Sequence, residues 1–197
     1  MSQDGFFASL KGFFGNKQIE PLPTTKAEDL YYQILQASRA VPLYRDYGVE
    51  DTIDGRFDAL CLLQSLVMRR LAGKSEALGL FSQELFDAMF ADMDSTLREM
   101  GVGDMGVGKR VKFMSEAYMG RLTAYDNALK AYEQGEGADK LQEALYRNLF
   151  SESGDEAAAK ALVAPVAAMA DKLASCADSD FTEAALADDI LAIVPRA

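Results

Sequence analysis

The strongest hydrophobic periodicity in the chain runs from about residue 82 to residue 100, where Phe86, Met89, Phe90, Met93, Leu97 and Met100 step by 3, 1, 3, 4 and 3. This spacing keeps one face of an α-helix apolar and does not fit the alternation of a strand. A second pattern predicts a helix over about 106–133: Val107, Val111, Met114, Tyr118, Leu122, Tyr125, Leu129 and Tyr132 step by 4, 3, 4, 4, 3, 4 and 3. Only a short glycine-rich run, Gly101–Gly108, lies between them. So short a connection makes the two helices an antiparallel pair. Gly101 stands where a helix is ended by a residue of positive φ, and Asp104 is placed to cap the next helix.

Upstream, Thr25 and Glu28 form a T-x-x-E capping box that opens a helix with Leu30, Tyr31, Ile34 and Leu35 inward, ending before Pro42. A loop rich in Tyr and Asp is expected over 43–55, then a helix over about 56–71 with Phe57, Leu60, Cys61, Leu63, Val67 and Leu71 on one broad apolar face. Arg69 and Arg70 suit its C-terminal end, and Gly73 its stop. Downstream, helices are expected near 139–148, over about 155–175 and, briefly, near 182–186. No strand-like alternation and no internal repeat is present. The pattern predicts an all-α fold: one helical bundle of about six to eight helices over 25–197, with the long antiparallel pair at its centre.

Residues 1–24 read as a separate amphipathic segment and linker. Phe6, Phe7, Leu10, Phe13 and Phe14 share one helical face, and Pro21 and Pro23 break the linker that follows. So short a helix needs something to receive its apolar face. Two readings stay open: docking on the protein's own core or a second copy, and anchoring at a membrane interface or a partner.

Charge narrows the choice of function. The net charge is −11, and residues 133–197, with 13 acids against 5 bases, carry most of it. An acidic chain whose one locally basic stretch is Lys109–Lys112 is not built for nucleic acid. The chain has no histidine and two distant cysteines, Cys61 and Cys176, which removes the commonest zinc sites and histidine-based nucleophiles. No apolar run is long enough for a transmembrane helix, and the N-terminus lacks the basic region of a signal peptide. A cytoplasmic protein is expected, either free or peripheral on the inner face of a membrane.

The glycine run matches two nucleotide-binding patterns and fits neither. Gly101, Gly103 and Gly106 give G-x-G-x-x-G, and Gly103 to Lys109 gives G-x-x-x-x-G-K. Both patterns need a preceding buried strand, but here a helical period precedes. Arg110 occupies the place of the magnesium-binding Ser or Thr, and Asp104 would repel phosphate. Asp87, Asp92 and Asp94 point to different sides of their helix and read as solvated rather than as a cation site. No cofactor or metal is expected. Six of the nine methionines fall between Met89 and Met119, as core filler or as a surface for varied apolar partners.

Two blocks carry a resemblance. FDAMFADMDSTLREMGVGDMGVGKRVKFMSEAYMGRLTAYDNAL, Phe86–Leu129, resembles the signature of the ubiquinol–cytochrome c chaperone family, and DTIDGRFDAL, Asp51–Leu60, resembles its upstream block. The resemblance covers about residues 25–135. It implies a non-enzymatic assembly factor for the cytochrome bc complex (respiratory complex III) whose client is newly made cytochrome b. Family members in mitochondria work near the ribosome's tunnel exit with a small partner subunit; the N-terminus here lacks an organellar transit signature, as in a bacterial member. The matching positions are Asp51, Asp54, Gly55, Arg56 and Asp58, then Asp92, Asp94, Arg98, Gly101, Gly103, Asp104, Lys109, Tyr118 and Arg121. Two readings of the polar members stay open: a surface that receives the client, or internal pairs in which Arg98 or Arg121 meets Asp54 or Asp58.

Overall fold

A computed structural model describes residues 25–151 and 155–193. The N-terminal phenylalanine segment and its linker lie outside the described residues. The described chain forms helices α1 (Lys26–Ala37), α2 (Val41–Arg45), α3 (Ile53–Leu71), α4 (Glu76–Glu99), α5 (Asp104–Glu133), α6 (Ala138–Leu149), α7 (Glu156–Ser175) and α8 (Asp178–Thr182), with no strand among them.

Helix starts follow local capping chemistry. Thr25 Oγ1 accepts from the Glu28 amide at 3.2 Å, and the Glu28 carboxylate accepts from the Thr25 amide at 2.6 Å, which completes the capping box. Thr52 caps α3 by accepting from the Gly55 amide at 3.1 Å, so α3 begins three residues before its apolar periodicity. Ser75 caps α4 in the same way, extending it six residues upstream of the expected start. Gly55 is tied to its position: a Cβ there would collide with the Glu50 carbonyl. Three expectations change. The 43–55 loop is entered through the short helix α2, with Pro42 in its first turn, where the missing N–H costs nothing. The last short helix starts earlier than Thr182, because the Asp180 carboxylate accepts from the Ala177 amide at 2.8 Å and nucleates it. It stops at Thr182, with Ala184 at φ +52° beyond it.

The long pair is antiparallel, as the short connection required. The rings of Phe86 and Phe90 on α4 meet Tyr118 on α5 at 5.9 and 6.1 Å, while Arg98 pairs with Asp104 at the shared end. The innermost element, however, is α3. It packs against α1, α4, α5, α6 and α7, and every residue from Phe57 to Val67 is buried. The expected single apolar face is therefore a helix enclosed all round. Enclosure favours internal partners, because an unpaired buried polar group costs about 1–3 kcal/mol: Asp58 accepts from Arg121, and Gln64 Nε2 donates to the Leu85 carbonyl at 3.3 Å.

The hinge between α4 and α5 is a Schellman turn. The Gly101 amide donates to the Arg98 carbonyl at 2.9 Å and the Val102 amide to the Leu97 carbonyl at 3.1 Å. Gly101 holds φ +80°, where an L side chain costs roughly 1–2 kcal/mol. Gly101→Ala is therefore expected to lower the urea midpoint by that stability. The equivalent change at Gly108, inside α5 where a Cβ meets open space, should instead raise the midpoint, by about 0.5–1 kcal/mol of stability.

Candidate functional site

The residues of the two signature blocks fall into three groups in space. The first is interior. Asp58 on α3 is 2% exposed and accepts from Arg121 Nη2 on α5 at 2.6 Å and from Ser151 Oγ at 3.3 Å. The Arg121 guanidinium also covers the Phe57 ring, 5.6 Å from its centroid. Burial pushes the Asp58 carboxyl up to about 6, outweighing the attraction of Arg121. Burial likewise raises the Cys61 thiol and the Tyr125 hydroxyl, which lie beside this pair. At both groups burial outweighs the lowering effect of the Arg121 charge and favours the neutral form. Tyr118 is fully buried and holds α5 to α4 through the two phenylalanine rings. Asp58 and Tyr118 are thus enclosed in the core, and Arg121 reaches Asp58 from a partly exposed position. Of the internal pairings anticipated from sequence, Arg121–Asp58 is present.

The second group surrounds the first turn of α3. Arg56 Nε meets Asp51 at 2.5 Å on the surface, and the pair holds Arg56 charged and Asp51 below the ordinary carboxylate range, chiefly through that hydrogen bond. Asp54 lies in the same turn, where its charge favours the N-terminal end of the helix.

The third group is the exposed hinge end. Arg98 bridges Asp94, 2.5 Å from its Nε, and Asp104 across the turn. Asp104 therefore does not cap α5, whose N-cap is Gly103. Its carboxylate ties the two long helices together instead, and it still sits in the first turn of α5, where the helix dipole favours it. Gly101, Gly103 and Lys109 are exposed around this bridge. Met105 stands 88% exposed beside them. Asp92 faces elsewhere and accepts from the Tyr31 hydroxyl at 2.9 Å, joining α4 to α1.

The methionines divide. Met89, Met93 and Met114 are core, whereas Met105 and Met119 are exposed. Among the described residues no group of Cys, Asp or Glu is placed to hold a metal ion. A groove of about 420 Å³ between α1 and residues 186–191 is lined by Tyr32, Ala37, Leu186 and Leu191, with Asp29 and Asp188 at its edge. No signature residue lines it. One residue with a large structural role went unassigned by sequence reasoning. Arg70 reads as a charge at a helix end, yet it is buried and reaches across to α7 and α8. Its adjacency to buried Leu71 was the available signal.

A family model described as ubiquinol-cytochrome C chaperone matches residues 45–187. The chain belongs to this family. The match contains both signature blocks and extends beyond the expected limit near residue 135 into the alanine-rich helix α7. The crystal structure of the Cbp3 homolog from Brucella abortus is similar at a TM-score of 0.71 and 33% identity, covering 83% of this chain and 90% of that one. No curated protein matches the chain significantly. Family membership identifies the chain as an assembly chaperone of the cytochrome bc type with an all-α bundle fold. None of its described helices is long and apolar enough to cross a membrane.

Proposed function

We propose that this chaperone is non-enzymatic and receives newly made cytochrome b on the cytoplasmic side of the membrane while the cytochrome bc complex is assembled. The family match over residues 45–187 carries the reading. The hinge end of α4 and α5 is the client surface, formed by Asp94, Arg98, Gly101, Gly103 and Asp104, with Met105 and Lys109 at its rim. Support comes from exposure and rigidity together. Met105 offers an adaptable thioether side chain to solvent, and the Arg98 bridge fixes the helices on which it is mounted. Asp54 and Arg56 sit on the other signature block and form a second contact.

A photo-crosslinking residue at position 105, in cells making a cytochrome bc complex, is expected to capture cytochrome b. The same residue at position 80, exposed elsewhere on α4, is expected to capture little. Deletion of the chain should lower assembled complex III. Normal complex III after deletion would sink the assembly role, and equal capture at both positions would sink the hinge assignment.

A further inference from the structure

The outward face of α5 continues beyond the hinge with a composition that the core does not explain. Met105, Lys109, Lys112, Glu116, Met119 and Thr123 step by 4, 3, 4, 3 and 4, and all are exposed. The core side of the same helix carries Val107, Met114, Tyr118 and Tyr125. Among the described residues, five large hydrophobic side chains are exposed: Val41, Leu80, Met105, Phe113 and Met119. Met105 and Met119 stand on this row and Phe113 on its flank, at 88%, 48% and 43% exposure. From Met105 to Met119 they extend over about 21 Å of helix.

Charge on the face runs against the rest of the molecule. The chain carries −11 overall, but the row presents Lys109 and Lys112, and Lys130 further along, against Glu116. Lys112 approaches Glu116 only to 3.8 Å, while Lys130 meets Asp126 at 2.6 Å beside the row. No such contact engages Lys109 among the described residues. Gly108 and Gly120 lie along the same side, and nothing stands within 4 Å of where their Cβ atoms would be. The flat places they leave allow close approach to the helix.

We infer that this face of α5, beyond Met105 at the hinge, docks on an anionic lipid surface, with Phe113 and Met119 entering the interface and Lys109 and Lys112 reaching the headgroups. Long lysine stems beside exposed apolar side chains suit the boundary between acyl chains and headgroups. A second copy of the chain fits less well. A symmetric pair would bring two rows together that each carry Lys109 and Lys112 against one Glu116. A lipid surface deforms around such a row, and its negative charge complements the lysines. The inference does not depend on the identity of the client. It places the hinge, at the start of the same helix, close to the membrane.

The test is flotation of the full chain with vesicles of phosphatidylcholine alone or with phosphatidylglycerol at about 7:3. Binding is expected only to the anionic vesicles and should weaken with salt. K109Q/K112Q should reduce it by ~10-fold or more, and F113S/M119S should reduce it with the charges intact. Unchanged helical content by circular dichroism checks that these surface variants fold. No binding by the unaltered chain would overturn the inference. So would binding that survives both double variants, including the case where F6S/F13S abolishes it and assigns the lipid to the N-terminal segment. A dimer in solution that the α5 variants convert to a monomer would also overturn it, giving the face to a second copy.

Discussion

Arg121→Met is expected to destabilise the protein by roughly 3–5 kcal/mol at neutral pH, because it leaves a buried carboxylate without its cation. The Asp58 side chain is 3% exposed and that of Arg121 22%, so the lower end of this range applies. The loss should depend on pH in a definite direction. In the folded chain Asp58 protonates at about 6, above its ordinary 3.8. The folded state therefore holds this proton more tightly than the unfolded state does. Its contribution is most favourable below pH 4 and is lost as pH rises from there to 6, a change of roughly 3 kcal/mol. Removing Arg121 raises the carboxyl further, so variant and parent should differ most above pH 6 and converge below it. Urea unfolding at pH 5 and pH 8 reads this directly. Asp58→Asn should flatten the pH dependence, and D58L/R121M should recover most of the stability, since an apolar pair needs no compensation. A loss equal at both pH values would show that Arg121 acts through packing on Phe57 and not through Asp58.

The legible parts of this fold were those decided within one or two helical turns. The Thr25–Glu28 box, the Gly101 turn and the periodicity of α4 and α5 all rest on contacts between near neighbours in the chain. The enclosure of α3 was not legible. Its residues Asp58, Gln64 and Ser65 look like the polar side of an amphipathic helix, and only the packing of five other helices around them makes them interior. Arg98 and Arg121 illustrate the same limit. Each occupies a signature block and each meets carboxylates, but Arg98 reaches Asp94 and Asp104 within its own hairpin, while Arg121 reaches Asp58 over 63 positions. Comparison of the two signature blocks offers Arg121 with Asp58 as one option, whereas the pairing of Arg98 with Asp94, at i,i+4 spacing, and with Asp104 is not among the pairs it offers. Its place at the helix start makes Asp104 look like the cap of α5. The guanidinium of Arg98 competes for the same carboxylate, and a charge-assisted bond outweighs a neutral amide. The candidate site is divided for the same physical reason: residues contiguous in a motif lie on different sides of a helix, so one block supplies core pairs, helix ties and an exposed hinge together.

The Arg70→Ala change is the second large effect, and it concerns the joint between α3 and the C-terminal helices. Arg70 is 9% exposed. Its Nε donates to the Leu173 carbonyl at 3.0 Å, and Nη2 donates to the Cys176 carbonyl at 2.7 Å and to Asp178 at 2.8 Å. Its guanidinium also lies 4.9 Å from the centroid of the fully buried Phe181 ring. One planar cation thereby satisfies carbonyls at the end of α7, binds the first residue of α8 and covers that helix's only buried anchor. Truncation leaves two carbonyls without this donor and opens a cavity beside Phe181, for an expected loss of roughly 3–5 kcal/mol. Arg70→Lys should recover little, because a point charge cannot reach three acceptors in the fixed directions of a guanidinium fork. Amide exchange locates the effect. Protection should fall first over 173–186 and only later in α3 and α5, since nothing else described ties α8 to α3 so closely. Global loss of protection in one step would show that α7 and α8 fold as one unit with the bundle. A lysine variant with parental stability would show that charge, and not the fork, holds the joint.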